Sequence, residues 1–241
     1  MIDSIDLNNY PNPNPLRYRT LEYWSSEGWH WRAFRNAKWP TFWVPDGPEG
    51  LHQYKLRLNF DVVEMAWALP AEVNWHEAHA YCAWLAKLEA SEDGGGGESG
   101  GAYRLTTEGE HHRMRSTATK KQATVGDAVM GNAQTLAEQY NTNLHWGSAS
   151  SVDALPKSEA GFHDTFGSAW EWCEDHFAAL PGYKVHPLYD DFSTPCFDGQ
   201  HNLIMGGSFA STGDLASRFA RFHFRPHFFQ HAGFRVVRTL P

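Results

Sequence analysis

The stretch PAEVNWHEAHAYCAWLA, Pro70 to Ala86, sets the reading of this chain. Trp75, Ala78, Cys82, Leu85 and, just beyond the stretch, Leu88 recur at three- and four-residue intervals, which lines one face of a helix. Asn74 stands before the run and Glu77 follows it at the capping-box spacing, in which each side chain satisfies the other's orphan amide. The pattern predicts a helix from about Trp75 to Leu88. Downstream, Thr107 and Glu110 repeat the same spacing, so a second, short helix should start near Thr107. Between the two lies EASEDGGGGESGGA, Glu89 to Ala102, which is rich in Gly and acid and has no apolar period. It reads as a flexible surface insertion rather than a domain boundary, because the capped segments on either side look like parts of one core. From Leu180 onward Gly, Pro, Asp and aromatics interrupt every run, which predicts short strands joined by structured loops. Leu203, Ile204 and Met205, ended by Gly206 and Gly207, read as one buried strand.

Composition narrows the class. A chain of 241 residues can bury one sizeable α+β core. The net charge of −8, from 28 acidic and 20 basic residues without a basic stripe, excludes a nucleic-acid surface. MIDSIDLNNYPNPNPLRYR at the N-terminus has no apolar run of signal length, and nothing later approaches a membrane span of about 20 apolar residues. Three cysteines, Cys82, Cys173 and Cys196, do not make a disulfide framework, so a cytoplasmic setting is expected. The 11 Trp and 14 His are unusual, but Trp fills cores poor in regular structure. The aromatic run Tyr23 to Trp43 fits either core or an exposed interface.

Four segments carry a resemblance. PAEVNWHEAHAYCAWLA, YRLTTEGEHHRMR from Tyr103, DTFGSAWEWCEDHF from Asp164, and GGSF with AGFRVVR at Gly206 and Ala232 occur in the order found in the formylglycine-generating-enzyme (sulfatase-modifying factor) superfamily. The resemblance implies a C-type-lectin-like α+β fold with few helices, a small twisted sheet and much ordered loop. It implies one domain over residues 1–241, in which residues 1–69 are atypical or truncated. PGYKVHPLYDDFSTPCFDGQHN from Pro181, RFARFHFRPHFFQHAGFR from Arg218, and TEGEHH from Thr107 are similar to the ovothiol-type 5-histidylcysteine sulfoxide synthase. That family's complete enzyme joins a cysteine thiol to the imidazole of histidine with oxygen and a non-heme ferrous iron. Its iron is held by three histidines of a preceding helical domain, so the resemblance implies iron(II) whose ligands lie outside this chain, and an iron-binding domain or chain as partner.

The candidate site residues follow. Tyr189, in HPLYDDFS, is assigned by resemblance the catalytic hydroxyl beside reduced oxygen, with Tyr183 as the alternative. Arg218, Arg221, Arg225 and Arg235 are interleaved with Phe219, Phe222, Phe224 and Phe234. Arg matches carboxylates by two parallel hydrogen bonds, and two amino-acid substrates bring two carboxylates. Arg221, Arg225, His227 and Phe224 are therefore the substrate-binding set, expected to share one pocket with Tyr189. The structural reading of the same arginines is pairing with Asp190, Asp191 or Glu174. His223, His227 and His231 have helical metal-site spacing, but Pro226 removes the helix, so they read as loop histidines and no metal ligand is assigned. Cys173 and Cys196 read as ordinary thiols. Gly206 to Arg235 contains no cysteine, which excludes the copper-dependent formylglycine activity. The turn NTNL, Asn141 to Leu144, suits a structural calcium of the kind superfamily members carry, and stands outside the site set. The alternative function is a non-catalytic lectin-like module that binds a small ligand or a protein.

Overall fold

Helix α1 (Ser26–Arg35) opens on Ser25, whose Oγ accepts the Gly28 amide at 3.0 Å, and closes on Asn36 in the left-handed region at φ 48°. This computed structural model describes residues 20–48, 50–92, 102–115, 139–158, 160–189, 192–217 and 219–239. Strands β1 (Trp43–Pro45), β2 (Tyr54–Arg57) and β3 (Val62–Glu64) follow as an antiparallel sheet. The aromatic run before them packs locally. Trp24 is buried and stacks on Trp31 with centroids 6.3 Å apart, and Trp43 meets Trp67 edge-on at 5.3 Å.

Helix α2 (Trp75–Glu92) begins on the capping box read from the sequence. The Glu77 amide donates to Asn74 Oδ1 at 3.0 Å and the Asn74 amide to Glu77 Oε2 at 2.8 Å, with both residues buried. The helix continues past Leu88 because its last turn has a partner: Glu89 pairs with Arg238 at 2.9 Å. Glu89 to Glu92, expected within the flexible insertion, are thus helical, and Ala102 already belongs to strand β4 (Ala102–Leu105). The Gly-rich stretch between them lies outside the described residues. Helix α3 (Glu108–Arg115) starts on the second capping box, the Thr107 amide donating to Glu110 Oε2 at 2.9 Å. Arg104 grips the same carboxylate through two bonds of 2.7 Å and, with Thr107, holds the pKa of Glu110 down at about 2.

The remaining strands are short, as the broken apolar runs require. They are β5 (Trp170–His176), β6 (Asn202–Met205), β7 (Phe222–Phe224), β8 (Ala232–Phe234) and β9 (Val236–Thr239). β4 and β9 pair antiparallel, and a four-stranded sheet runs β7-β6-β5-β8 with β5 and β8 parallel. β6 is buried along its whole length because both faces are covered. Ile204, with Trp172 of β5, faces the main core under α2 beside Ala78, Cys82 and Leu85. Leu203 and Met205, with Cys173 of β5, face a second cluster containing Phe177. Trp172 donates its ring N–H to the Val73 carbonyl at 2.9 Å, so the largest buried side chain leaves no unmet donor. β6 ends at Gly206 and Gly207, and a Cβ at Gly207, where φ is 83°, would lie 2.6 Å from Ala216 Cβ. Among the described residues no helix is long and apolar enough to cross a membrane.

Candidate functional site

The three histidines of the C-terminal segment go to three places. His223 lies in β7 and His231 leads into β8, with Pro226 in the turn between, where its carbonyl accepts the Trp75 amide at 3.1 Å. His231 donates to Glu72 at 3.2 Å between the rings of Phe42 and Phe209, and that carboxylate raises its pKa. This is a structural ion pair. His227 faces a cleft against α1.

The arginine cluster also divides. Arg221 binds Glu108 through two bonds of 2.5 and 3.0 Å, donates to the Ala178 carbonyl, and lies 5.0 Å over the Phe177 ring. Arg235 grips Glu171 at 2.6 and 3.1 Å and donates to the His163 carbonyl. Burial alone would raise the Glu171 carboxyl, but Arg235 and the neighbouring His111 outweigh it and hold it well below the ordinary range. The internal partners are Glu108 and Glu171, not Glu174, while Arg218, Asp190 and Asp191 lie outside the described residues. Arg221, placed in the substrate-binding set, therefore has a carboxylate partner within the fold. Arg225 is more open: it donates to Gln200 Oε1 at 2.6 Å and stands 3.6 Å from Asp198. Phe224, expected as a pocket wall, packs on the main core and against Phe228 at 6.1 Å.

Tyr189 is 60% exposed, its ring stacked on Phe192 at 5.9 Å. Tyr183, the alternative, is tied down, its hydroxyl 3.2 Å from Thr194 Oγ1 and its ring edge-on to Phe197. Phe192 in turn lies 6.0 Å from the His223 ring, so Tyr189 belongs to the β7 edge of the sheet. Tyr189 and Arg221 each reach the His223 ring through one aromatic neighbour, Phe192 and Phe177, while Arg225 stands beside Asp198, the partner of His201. His227 instead lines an open cleft of about 610 Å³ with Glu27, His30, Trp31, Phe34, Arg35, His76, Phe228 and Phe229. His76 sits in the first turn of α2, is 3% exposed, and has both ring nitrogens inaccessible and without a hydrogen bond. Burial, reinforced by nearby His227 and His79, lowers its pKa to about 4, so it is a neutral imidazole near pH 7. Trp31 packs against His76 at 6.2 Å and Phe229 at 5.9 Å, which gives the cleft aromatic walls.

Sequence spacing missed this cleft because it joins α1, α2 and a turn far apart in the chain; the one signal was a histidine at the head of a capped helix. It also missed a second grouping, Cys196, His201 and His223, whose ligand atoms lie within 4.8 Å of one another. Cys196, read from the sequence as an ordinary thiol, thus stands beside two imidazoles. The residues do not fit a three-histidine iron set: among the described residues the one such group mixes a thiol with two imidazoles. In the Asn141 turn, Asn141 donates to the Ser148 carbonyl and Ser150 Oγ, and its own side-chain oxygen is buried without a hydrogen bond.

Comparison with known proteins agrees with this fold. Two solved structures share it: Treponema denticola variable protein 1 (TM-score 0.55, 18% identity, covering 86% of this chain and 80% of that one) and PvdO from Pseudomonas aeruginosa (TM-score 0.52, 19% identity, 88% and 75%). In sequence the chain is 27% identical over 202 residues to hercynine oxygenase of Mycobacterium tuberculosis, covering 80% of this chain and 40% of that protein. It is 30% identical over 87 residues to ergothioneine biosynthesis protein 1 of Schizosaccharomyces pombe, covering 35% and 11%. The chain spans less than half the length of these curated relatives. The model of the sulfatase-modifying factor enzyme 1-like domain matches residues 51–240, and the chain belongs to that family.

Proposed function

We propose that this chain is the substrate-side domain of a non-heme iron-dependent sulfoxide synthase that couples a cysteine thiol to a histidine imidazole with oxygen, in the manner of ovothiol biosynthesis. The observation that carries the reading is the open cleft that His227, Trp31 and Phe229 line together with Arg35 and Glu27, with the buried His76 in its wall. Those groups complement an amino acid: Arg35 suits a carboxylate, Glu27 an ammonium, and Trp31 and Phe229 the faces of an imidazole. Similarity to hercynine oxygenase and to two ergothioneine biosynthesis proteins supports the choice of a histidine-derived substrate and sulfur chemistry. Iron supplies the oxygen chemistry when bound, and its ligands belong to a separate helical domain or chain. This chain's role is to bind and orient the amino acids and, through the exposed Tyr189 hydroxyl, to offer a proton.

The test is a binding titration. Histidine, and separately cysteine, is titrated into the folded chain with NMR or calorimetric detection. Histidine binding should weaken about ten-fold in His227→Ala, the loss of one good hydrogen bond. Binding unaffected by both His227→Ala and Trp31→Ala would move the site away from the cleft. No binding of either amino acid would favour a lectin-like module for another ligand.

A further inference from the structure

The connection from β5 to β6 returns to the sheet through one 3₁₀ turn, Thr194–Cys196, and three metal-type donors meet there. Cys196 Sγ and one ring nitrogen each of His201 and His223 lie within 4.8 Å of one another, and all three side chains are half-buried. Donor atoms around a tetrahedral zinc sit about 3.4–3.8 Å apart, given its bond lengths. Side-chain rotations of about 1 Å would therefore close the set.

Two further observations point to a ligand here. Both ring nitrogens of His223 are inaccessible and without a hydrogen bond, although a neutral imidazole has one N–H to donate and one lone pair to fill. Stacking on Phe177 at 4.1 Å and an edge-on contact with His201 at 5.2 Å fix the ring in that state. His201 donates Nδ1–H to Asp198 at 2.9 Å, which leaves Nε2 with its lone pair. Such a carboxylate–imidazole pair orients a metal-binding histidine and raises its basicity. Asp198 is steadied in turn by the Gln200 amide at 2.8 Å and by Arg225.

We propose that Cys196, His201 and His223 bind zinc, with a fourth position open to water, and that the ion fastens the Thr194–Cys196 turn to strands β6 and β7. Calcium and magnesium require oxygen ligands, and ferrous iron binds such a set more weakly than zinc. One thiolate, two imidazoles and an open fourth position match a zinc pattern. The ion would also steady Phe192, which packs beside His223 and carries the Tyr189 ring. The proposal stands on these residues alone and does not depend on the sulfoxide synthase reading.

Thiol protection tests it, because the other two cysteines are built not to react. Burial raises Cys82 to about 12 and lifts Cys173 well above the usual thiol range. The chelator-stripped chain is treated with iodoacetamide, with and without about one equivalent of zinc, and the labelled peptides are identified by mass spectrometry. Cys196 should be labelled in the stripped protein and protected at least about ten-fold by zinc but not by magnesium. His201→Gln and His223→Gln, both retaining the thiol and checked for native circular dichroism, should lose that protection. A cobalt(II)-loaded chain should show thiolate-to-metal absorption that is missing in Cys196→Ser. Equal labelling of the wild-type protein with and without zinc overturns the proposal. So does protection that survives both histidine substitutions, or protection by copper(I) where zinc gives none. Because the wild-type comparison of zinc with magnesium decides on its own, a variant that fails to fold does not remove the test.

Discussion

At the scale of single residues the molecule holds ionisable groups in two opposite ways. Asp164 has both carboxylate oxygens buried without a hydrogen bond, and burial outweighs the attraction of Arg235 to raise its pKa to about 7. The folded chain thus holds a proton that the unfolded chain, at about 3.9, has already released. Its stabilising contribution is present below about pH 4, is lost as pH rises to about 7, and stays absent above. Asp164→Asn keeps the preference for the left-handed backbone found there and should stabilise the chain by about 1–2 kcal/mol at pH 8, but not at pH 4. Urea denaturation at the two pH values checks this, and an equal effect at both would contradict it. Arg221 is the opposite case, a cation fully matched inside the fold. Arg221→Met should cost about 1–3 kcal/mol by leaving Glu108 with only the more distant His112, with histidine affinity unchanged. A drop in affinity without a drop in stability would return Arg221 to the substrate-binding set.

At the scale of elements, local rules decide where segments start, and distant partners decide where they stop. Asn74→Ala removes a buried cap from α2 and should lower stability by about 1–2 kcal/mol in chemical denaturation; an unchanged midpoint would mean that the capping box is not maintained in solution. Asn74 with Glu77, and Thr107 with Glu110, were legible because the two residues of each pair lie within one turn of chain. The extension of α2 to Glu92 was not legible, because its partner Arg238 lies near the other end of the sequence. The buried run Leu203 to Met205 could be read as a strand, whereas its neighbours β5 and β7 could not be inferred from periodicity. The candidate site was the least legible feature. Resemblance led to the Arg221–His227 segment, but only the fold separates Arg221, facing Glu108, from His227, facing the cleft. The cluster of Cys196, His201 and His223 depends on the pairing of β6 with β7 and has no single-segment signature.

At the scale of the whole molecule, the largest fully buried side chain sits in the main core. Trp172 shares one buried cluster with residues of α2, β4 and β6, and its ring N–H closes on Val73. Trp172→Ala should therefore cost about 3–5 kcal/mol, measured as a shift of the urea midpoint; a loss under about 1 kcal/mol would contradict the account of the core. Above this packing, helix α1, the head of α2 and the Pro226 turn leave the cleft that the functional account requires. The most direct test is to mix the folded chain, in air-saturated buffer with ferrous iron, cysteine and histidine, with a separately expressed helical domain carrying three iron-binding histidines. Mass spectrometry follows the coupled sulfoxide. The account predicts sulfoxide only when both proteins are present, and a clear fall in its yield with Tyr189→Phe or His227→Ala. Sulfoxide formed by the iron domain alone, or none formed although histidine binds the cleft, would contradict it.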